Sequence, residues 1–279
     1  MTRLPDQLTA TIEGLAPLDR VGEPVAVAVR AAVPHGGTKD LLSGTWLGHP
    51  LHPVLTSVPI GAWVTAGILD LVGSPAADGA IAVGLAAVPA TAAAGLADWS
   101  DLQGETQRVG VVHGAANVTA SLLYLLSLRA RRRGHRGRGR ALGFLGLAAV
   151  GAGGFLGGHL TFRRGVGVDH TFDRSGPDDW TDVAGSDELA DGSSFVARAG
   201  DDDVLLVRRG AHVDAISDRC THLSGPLHDG RVEDGCVTCP WHQSTFRLDD
   251  GSVVHGPATA PQPRYEVREA DGRLLVRRA

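Results

Sequence analysis

All three cysteines of the 279-residue chain fall in one window, CTHLSGPLHDGRVEDGCVTCPWH, residues 220–242. Cys220 is followed by His222 with one residue between, and Cys239 by His242 with two between. Two thiolates and two imidazoles arriving as two Cys–His pairs are a ligand set for a soft or borderline metal. Zinc would accept the four in a tetrahedron. A mixed-ligand [2Fe–2S] centre takes two Cys on one iron and two His on the other. Each loop then gives one ligand to each iron, as a C-x-H loop and a C-x-x-H loop do. Zinc fingers more often carry their Cys as one pair and their His as another.

Cys236 stands three residues before Cys239. C-x-x-C is also the spacing of redox-active thiols and zinc knuckles. Cys239 cannot serve both that pair and the pair with His242, so Cys236 is expected as a small buried strand residue. An odd number of cysteines in one cluster is not a disulfide framework. His228 and His255 are expected in loops nearby, without ligating.

The segment resembles the Rieske ferredoxin family, whose pattern runs C-x-H, then C-P-x-H-G-x-x-F. Cys220-Thr221-His222, Cys239-Pro240-Trp241-His242 and Phe246 match it. The downstream GSVVHGPATAPQP, residues 251–263, is similar to that family's proline loop over the cluster and puts Pro257 in the cluster's surroundings. The resemblance covers about residues 180–279. It implies a [2Fe–2S] cluster with Cys220 and Cys239 on one iron, His222 and His242 on the other, and one-electron chemistry. The respiratory type carries an extra cysteine after each ligand pair, bridged to each other; here Gly225 and Trp241 take those places. It also carries a Ser and a Tyr that hydrogen-bond the cluster. Ser244 matches the Ser, and Phe246 replaces the Tyr. Such bonds tune the potential, so the lower half of the Rieske range, about −150 to +300 mV, is expected. Gln243 stands where Gly is usual, which puts the turn after the last ligand in question.

Short strands must position these loops. SSFVARAG, DDVLLVRRG, HVDAISD, CVTC, STFRL, SVVHG, RYEVREA and RLLVRR read as strands between Gly- and Asp-rich turns such as Asp249-Asp250-Gly251 and Ala270-Asp271-Gly272. Alternation such as Tyr265/Val267 and Leu274/Val276 predicts an all-β sandwich or barrel.

The N-terminal half is of another kind. Four runs, 54–72, 80–97, 111–128 and 141–160, approach the roughly 20 apolar residues that span a bilayer. They show almost no internal charge, unlike the two-faced helices of soluble proteins. Small residues dominate, as where membrane helices pack closely. The stretch RARRRGHRGRGR, residues 129–140, carries seven Arg between the third and fourth runs. The positive-inside rule puts it in the cytoplasm, and the crossings then put both termini and the β half outside. No apolar h-region opens the N-terminus, so no cleaved signal peptide is expected. The bounds read as an N-terminal segment 1–40, an all-α four-helix transmembrane bundle 41–172, a linker 173–180 and the all-β Rieske-type domain 181–279.

Gly48-His49-Pro50-Leu51-His52-Pro53, before the first run, resembles a G-H-P-x-H-P mark of a bacterial family of four-helix membrane proteins of unknown function. His52, His113, at the start of the third run, and His159, at the end of the fourth, fall on one side of the membrane by the crossing count. Polar groups at that depth are usually functional or paired. Two readings stand: ligands for a b-type haem or another metal, or histidines that cap helix ends and bond backbone.

The net charge of −5 does not suggest nucleic acid. No nucleophile–base pair, phosphate loop or dinucleotide fingerprint is present. The pattern predicts a membrane-anchored electron carrier, its partners redox proteins or a quinone. The alternatives are a redox-sensing regulatory membrane protein, a ferredoxin component feeding a separate oxygenase, and a zinc-bound interaction domain.

Overall fold

The computed structural model describes residues 3–174 and 176–279. Among them are seven α-helices: α1 Leu4–Glu13, α2 Asp19–Ala32, α3 Gly37–Ser43, α4 Leu51–Leu71, α5 Ala77–Trp99, α6 Gly104–Arg132 and α7 Arg136–Phe162. Ten strands follow: β1 Thr181–Gly185, β2 Ser194–Ala199, β3 Asp202–Arg209, β4 His212–Ser217, β5 Arg231–Glu233, β6 Cys236–Thr238, β7 Thr245–Arg247, β8 Val253–His255, β9 Arg264–Ala270 and β10 Arg273–Arg278. By contacts the chain divides into a helical unit, residues 1–33 and 51–166, and a β unit, residues 34–50 and 167–279. The stretch 34–50, which the sequence divides between the N-terminal segment and the membrane bundle, thus packs with the β unit.

In the helical unit α4, α5, α6 and α7 are each long and apolar enough to cross a membrane. α5, α6 and α7 extend beyond their apolar runs at both ends, and α4 at its N-terminal end, because a helix continues through the polar residues of an interface as long as its backbone bonds are made. His113 therefore lies well inside α6 rather than at its start. The basic stretch is mostly helical too. Arg129, Arg131 and Arg132 sit in the last turn of α6, where the helix dipole favours cations. Glycines admit large side chains between the helices: a Cβ on Gly84 would collide with the Trp63 indole, and one on Gly146 would come 2.9 Å from the Tyr124 ring. Trp63 and Tyr124 stack at 4.4 Å between centroids. At the α6–α7 turn the Arg131 guanidinium grips the Asp70 carboxylate, both side chains almost fully buried, and reaches Asp78 at 3.2 Å. The 1–40 segment is helical as well. α1 and α2 are tied down by Arg108, which donates to both Asp19 carboxylate oxygens at 2.7 Å and to the Glu13 carbonyl at 2.7 Å.

The β unit has two antiparallel sheets, as an all-β sandwich requires. One runs β1-β10-β9-β4-β3-β2 and the other β5-β6-β7-β8. β3 is buried on both faces, so its VLLV run is continuous rather than alternating. Val204 and Leu206 join a core with Ala215, Tyr265, Leu274 and Val276. Leu205 and Val207 join a second core with Ile216, Leu227, Val237, Phe246, Cys220 and Cys239. Two-residue turns close two hairpins. Asp234-Gly235 and Asp271-Gly272 each have positive φ at both positions, the primed turn that suits strand twist. β1 and β5 were not expected: TDVAG has no clear alternation, and Arg231, Val232 and Glu233 are all exposed.

Candidate metal centre

Two loops rise side by side from the second core. The first, residues 220–226, follows β4; the second, residues 239–244, joins β6 to β7 across the Thr238–Thr245 pair. The backbones repeat one another. The Cys220 N–H donates to the Gly225 carbonyl at 2.9 Å, and the Ser224 N–H to the Cys220 carbonyl at 2.9 Å. The Cys239 N–H donates to the Ser244 carbonyl at 2.8 Å, and the Gln243 N–H to the Cys239 carbonyl at 3.1 Å. The fourth residue after each cysteine is left-handed, Ser224 at φ 63° and Gln243 at φ 61°. Gln243 thus adopts the backbone for which Gly is usual, and the turn forms in spite of its side chain.

Each loop aims two amides at its own sulfur. The backbone N–H groups of His222 and Leu223 bond the Cys220 sulfur, and those of Trp241 and His242 bond the Cys239 sulfur. The two sulfurs are themselves hydrogen-bonded. That bond pulls the Cys239 thiol down to about 7, while the same bond, with burial, pushes Cys220 well up. The His222 and His242 rings stand at 5.1 Å between centroids, nearly perpendicular. Nδ1 of His222 is buried and without a hydrogen-bond partner, although imidazole nitrogens shut away from water are normally paired. Burial, then His242, then Lys39 and His170, hold that ring neutral, the form in which imidazole binds a metal. An orphaned imidazole nitrogen and two amide-bonded sulfurs fit a ligand set. Among the described residues no three His, Cys, Asp or Glu side chains gather to hold one ion; the four are arranged as two and two.

The surroundings separate further. Gly225 and Trp241 face each other, with a Cβ on Gly225 only 3.2 Å from the indole. All three cysteines are free thiols, and Cys236 is the expected strand residue, on β6 opposite Arg247 of β7, but it is only partly buried rather than buried. Phe246 is fully buried under the loops. The Ser244 hydroxyl is buried and accepts the Ala258 N–H at 3.0 Å, which ties the second loop to the segment holding Pro257. The Thr221 hydroxyl donates to the Ala260 carbonyl at 2.9 Å, tying the first loop to the same segment. His228 does not reach the pairs: its Nδ1 bonds Asp218 at 2.6 Å. His255 bonds Asp40. Asp40, and Thr45, which donates to the Ala258 carbonyl at 3.2 Å, were missed from sequence. Nothing local in GTKDLLSGTW signals a partner more than 200 residues along the chain.

The membrane histidines find protein partners. His52 bonds the Thr91 carbonyl through Nδ1 at 2.9 Å, and His113 the Gly153 carbonyl at 2.8 Å. Their rings lie 6.3 Å apart, edge to face, and Asn117 donates to Nε2 of His113 at 3.0 Å. His159 turns elsewhere, to Glu13 at 2.8 Å.

Two amide-lined Cys–His loops on a double-sheet β unit define an iron–sulfur protein of the mixed-ligand kind. The chain belongs to the Rieske [2Fe–2S] family: residues 179–266 match that domain, and residues 48–170 match a predicted membrane protein family, DUF2231. It is 33% identical over 98 residues to the ferredoxin subunit of anthranilate 1,2-dioxygenase from Burkholderia cepacia, covering 35% of this chain and 91% of that protein. It is 30% identical over 99 residues to the ferredoxin component of the alkene monooxygenase system of Xanthobacter autotrophicus, covering 35% of this chain and 80% of the relative. It is 30% identical over 94 residues to the iron–sulfur subunit of the cytochrome b6-f complex from Chlorobaculum tepidum, covering 34% of this chain and 51% of that subunit. An electron-transfer role follows for the β unit, beside a domain of a membrane family. Neither family description carries a haem.

Proposed function

We propose that the chain is a membrane-anchored electron carrier whose one Rieske-type cluster is held by Cys220 and Cys239 on one iron and by His222 and His242 on the other. The two-and-two pairing carries this reading: the two sulfurs are hydrogen-bonded to each other, the two imidazoles stand 5.1 Å apart, and a buried nitrogen of His222 has no partner. A single zinc would draw all four to one point. When bound, such a cluster takes up and gives back one electron. The amides of His222, Leu223, Trp241 and His242 hold the thiolates and offset their negative charge. Phe246, Leu227 and Leu248 keep water from the sulfur side. Half-exposed Trp241 lies against His242 at 6.4 Å, at the edge from which an electron would leave.

The anchor is the four apolar helices, with the basic α6–α7 turn in the cytoplasm and the β unit on the opposite face. The partners are a redox protein, as the ferredoxin relatives suggest, or a quinone, as the b6-f relative suggests. An optical difference spectrum of the detergent-purified full chain, before and after dithionite, tests the reading. Broad visible bands that bleach support it. A colourless protein with one zinc per chain overturns it. Added sharp α and Soret bands would bring in a haem, with His52, His113 and His159 the first ligands to replace. A reporter fused at Ala279 that is active only in the cytoplasm would reverse the orientation.

A further inference from the structure

Two short stretches join the β unit to the apolar helices along the chain: residues 34–50, which lead into α4, and residues 167–172, which follow α7. Both are bonded to the loops that carry the candidate ligands. In the first, an Asp40 clasp accepts the Gly256 N–H on Oδ1 at 2.7 Å and bonds Nδ1 of His255 through Oδ2 at 3.0 Å. Thr45 donates to the Ala258 carbonyl at 3.2 Å, and the Ala258 N–H donates to the Ser244 hydroxyl of the second ligand loop at 3.0 Å. In the second, the His170 N–H donates to the carbonyl of Thr221, between Cys220 and His222, at 3.0 Å. The two stretches meet at their ends: a Cβ on Gly167 would stand 3.6 Å from the ring of Pro50, the residue before α4.

These fastened stretches carry an apolar surface. Among the described residues of the β unit, seven large apolar side chains are exposed, and five of them, Leu41, Trp46, Leu47, Val168 and Phe172, fall here. A sixth is Trp241, on the second ligand loop. Trp46 is 64% exposed and Phe172 81%. The Trp46 indole N–H donates to the Leu41 carbonyl at 3.2 Å, so the polar group of that ring is satisfied and its faces are apolar. Residues 41–50 contain no Asp, Glu, Lys or Arg. Exposed apolar groups gathered in one part of a molecule mark a contact with protein or membrane. Continuity with the membrane-crossing helices decides between the two. Trp46 stands five residues before α4, so even a fully extended chain keeps it within about 18 Å of the helix start. Tryptophan is enriched at the level of the lipid headgroups.

We propose that the β unit rests on the bilayer surface through these two stretches, with Leu41, Trp46, Leu47, Val168 and Phe172 dipping into the headgroup layer. The helices hold the chain in the membrane, and this second contact lays the β unit on it. The Asp40 clasp and the His170 bond tie both ligand loops to the same stretches. The candidate cluster is therefore carried at the membrane surface instead of swinging on a free tether.

This rests on the membrane-anchored reading above and is independent of the metal. The full-length protein is placed, one chain per disc, in phosphatidylcholine nanodiscs, either plain or brominated high in the acyl chains; bromine quenches indoles that touch lipid. The emission lost in Trp46→Phe isolates Trp46. The emission gained in Phe172→Trp reads the second stretch on its own, should Trp46→Phe fail to accumulate. Both signals are expected to fall by about half or more in brominated discs and to be shielded from aqueous iodide, as for rings at headgroup level. Full emission of either indole in brominated discs overturns the proposal. Iodide quenching would then mean that the surface stands in water, and shielding that appears only in discs holding two chains would mean that a second copy covers it. A chain that alkaline carbonate releases from membranes would defeat the anchor reading itself.

Discussion

A Cβ atom on Gly225 would stand 2.7 Å from the Cys239 sulfur. Real Cβ atoms do not come that close, and the sulfur cannot retreat because two amides and the other cysteine hold it. The missing side chain is thus part of the ligand geometry. Gly225→Ala is expected to lose most of the bound iron and to cost roughly 1–3 kcal/mol of domain stability, the range for overpacking a filled core. Iron content per chain and a thermal melt of the solubilised protein check both.

Gln243 carries the opposite error. Its backbone is left-handed at φ 61°, which costs a side-chain-bearing residue about 1 kcal/mol. Gln243→Gly is expected to raise the melting point of the cluster domain by an amount corresponding to roughly 1 kcal/mol, with Gln243→Ala near neutral. A destabilised Gly variant would mean that the glutamine side chain makes contacts worth more than the strain.

What the sequence discloses follows from how local each signal is. The four candidate ligands stand out because residue type and spacing over a short window mark a ligand set for a soft or borderline metal. β9 and β10 were legible from alternation, and the Asp-Gly turn from the need for positive φ. The repeat between the two ligand loops was hidden, since Ser224 and Gln243 share a conformation without sharing chemistry. α1 and α2 are amphipathic but short, and Pro24 inside α2 argues against a helix there. The Asp40 clasp spans 216 residues. No periodicity encodes a pairing that long-range, and it emerges only when the sheets have placed the Gly256 N–H.

The Asp218–His228 pair gives a pH dependence. Bonding to the Asp218 carboxylate pushes the His228 ring above its ordinary 6.5. A raised folded value stabilises fully below the unfolded one and is lost as pH rises through the folded one. The stability difference between wild type and His228→Gln should therefore be largest below pH 6.5 and shrink above it. With the ring about 44% exposed, the difference stays below about 1 kcal/mol. Melts at several pH values, read by domain circular dichroism, check the trend; a difference that grows with pH would contradict it.

In the helical unit, Asp70 and Arg131 form a buried ion pair at the α6–α7 turn. Removing one partner strands the other, at a typical cost of 3–5 kcal/mol. Asp70→Asn should fall near the lower end, about 3 kcal/mol, because Asp78 still reaches the guanidinium. Unfolding in mixed detergent micelles measures it, and the Asp70→Asn/Arg131→Met double variant should recover part of the loss.

The most direct test of the centre is pulsed EPR on the dithionite-reduced full-length protein. Two inequivalent nitrogen couplings are expected, one from each imidazole, and His222→Cys or His242→Cys should leave one. A reduced cluster without strong nitrogen coupling, or an unchanged pair of couplings in either variant, would contradict His222 and His242 as the ligands of one iron.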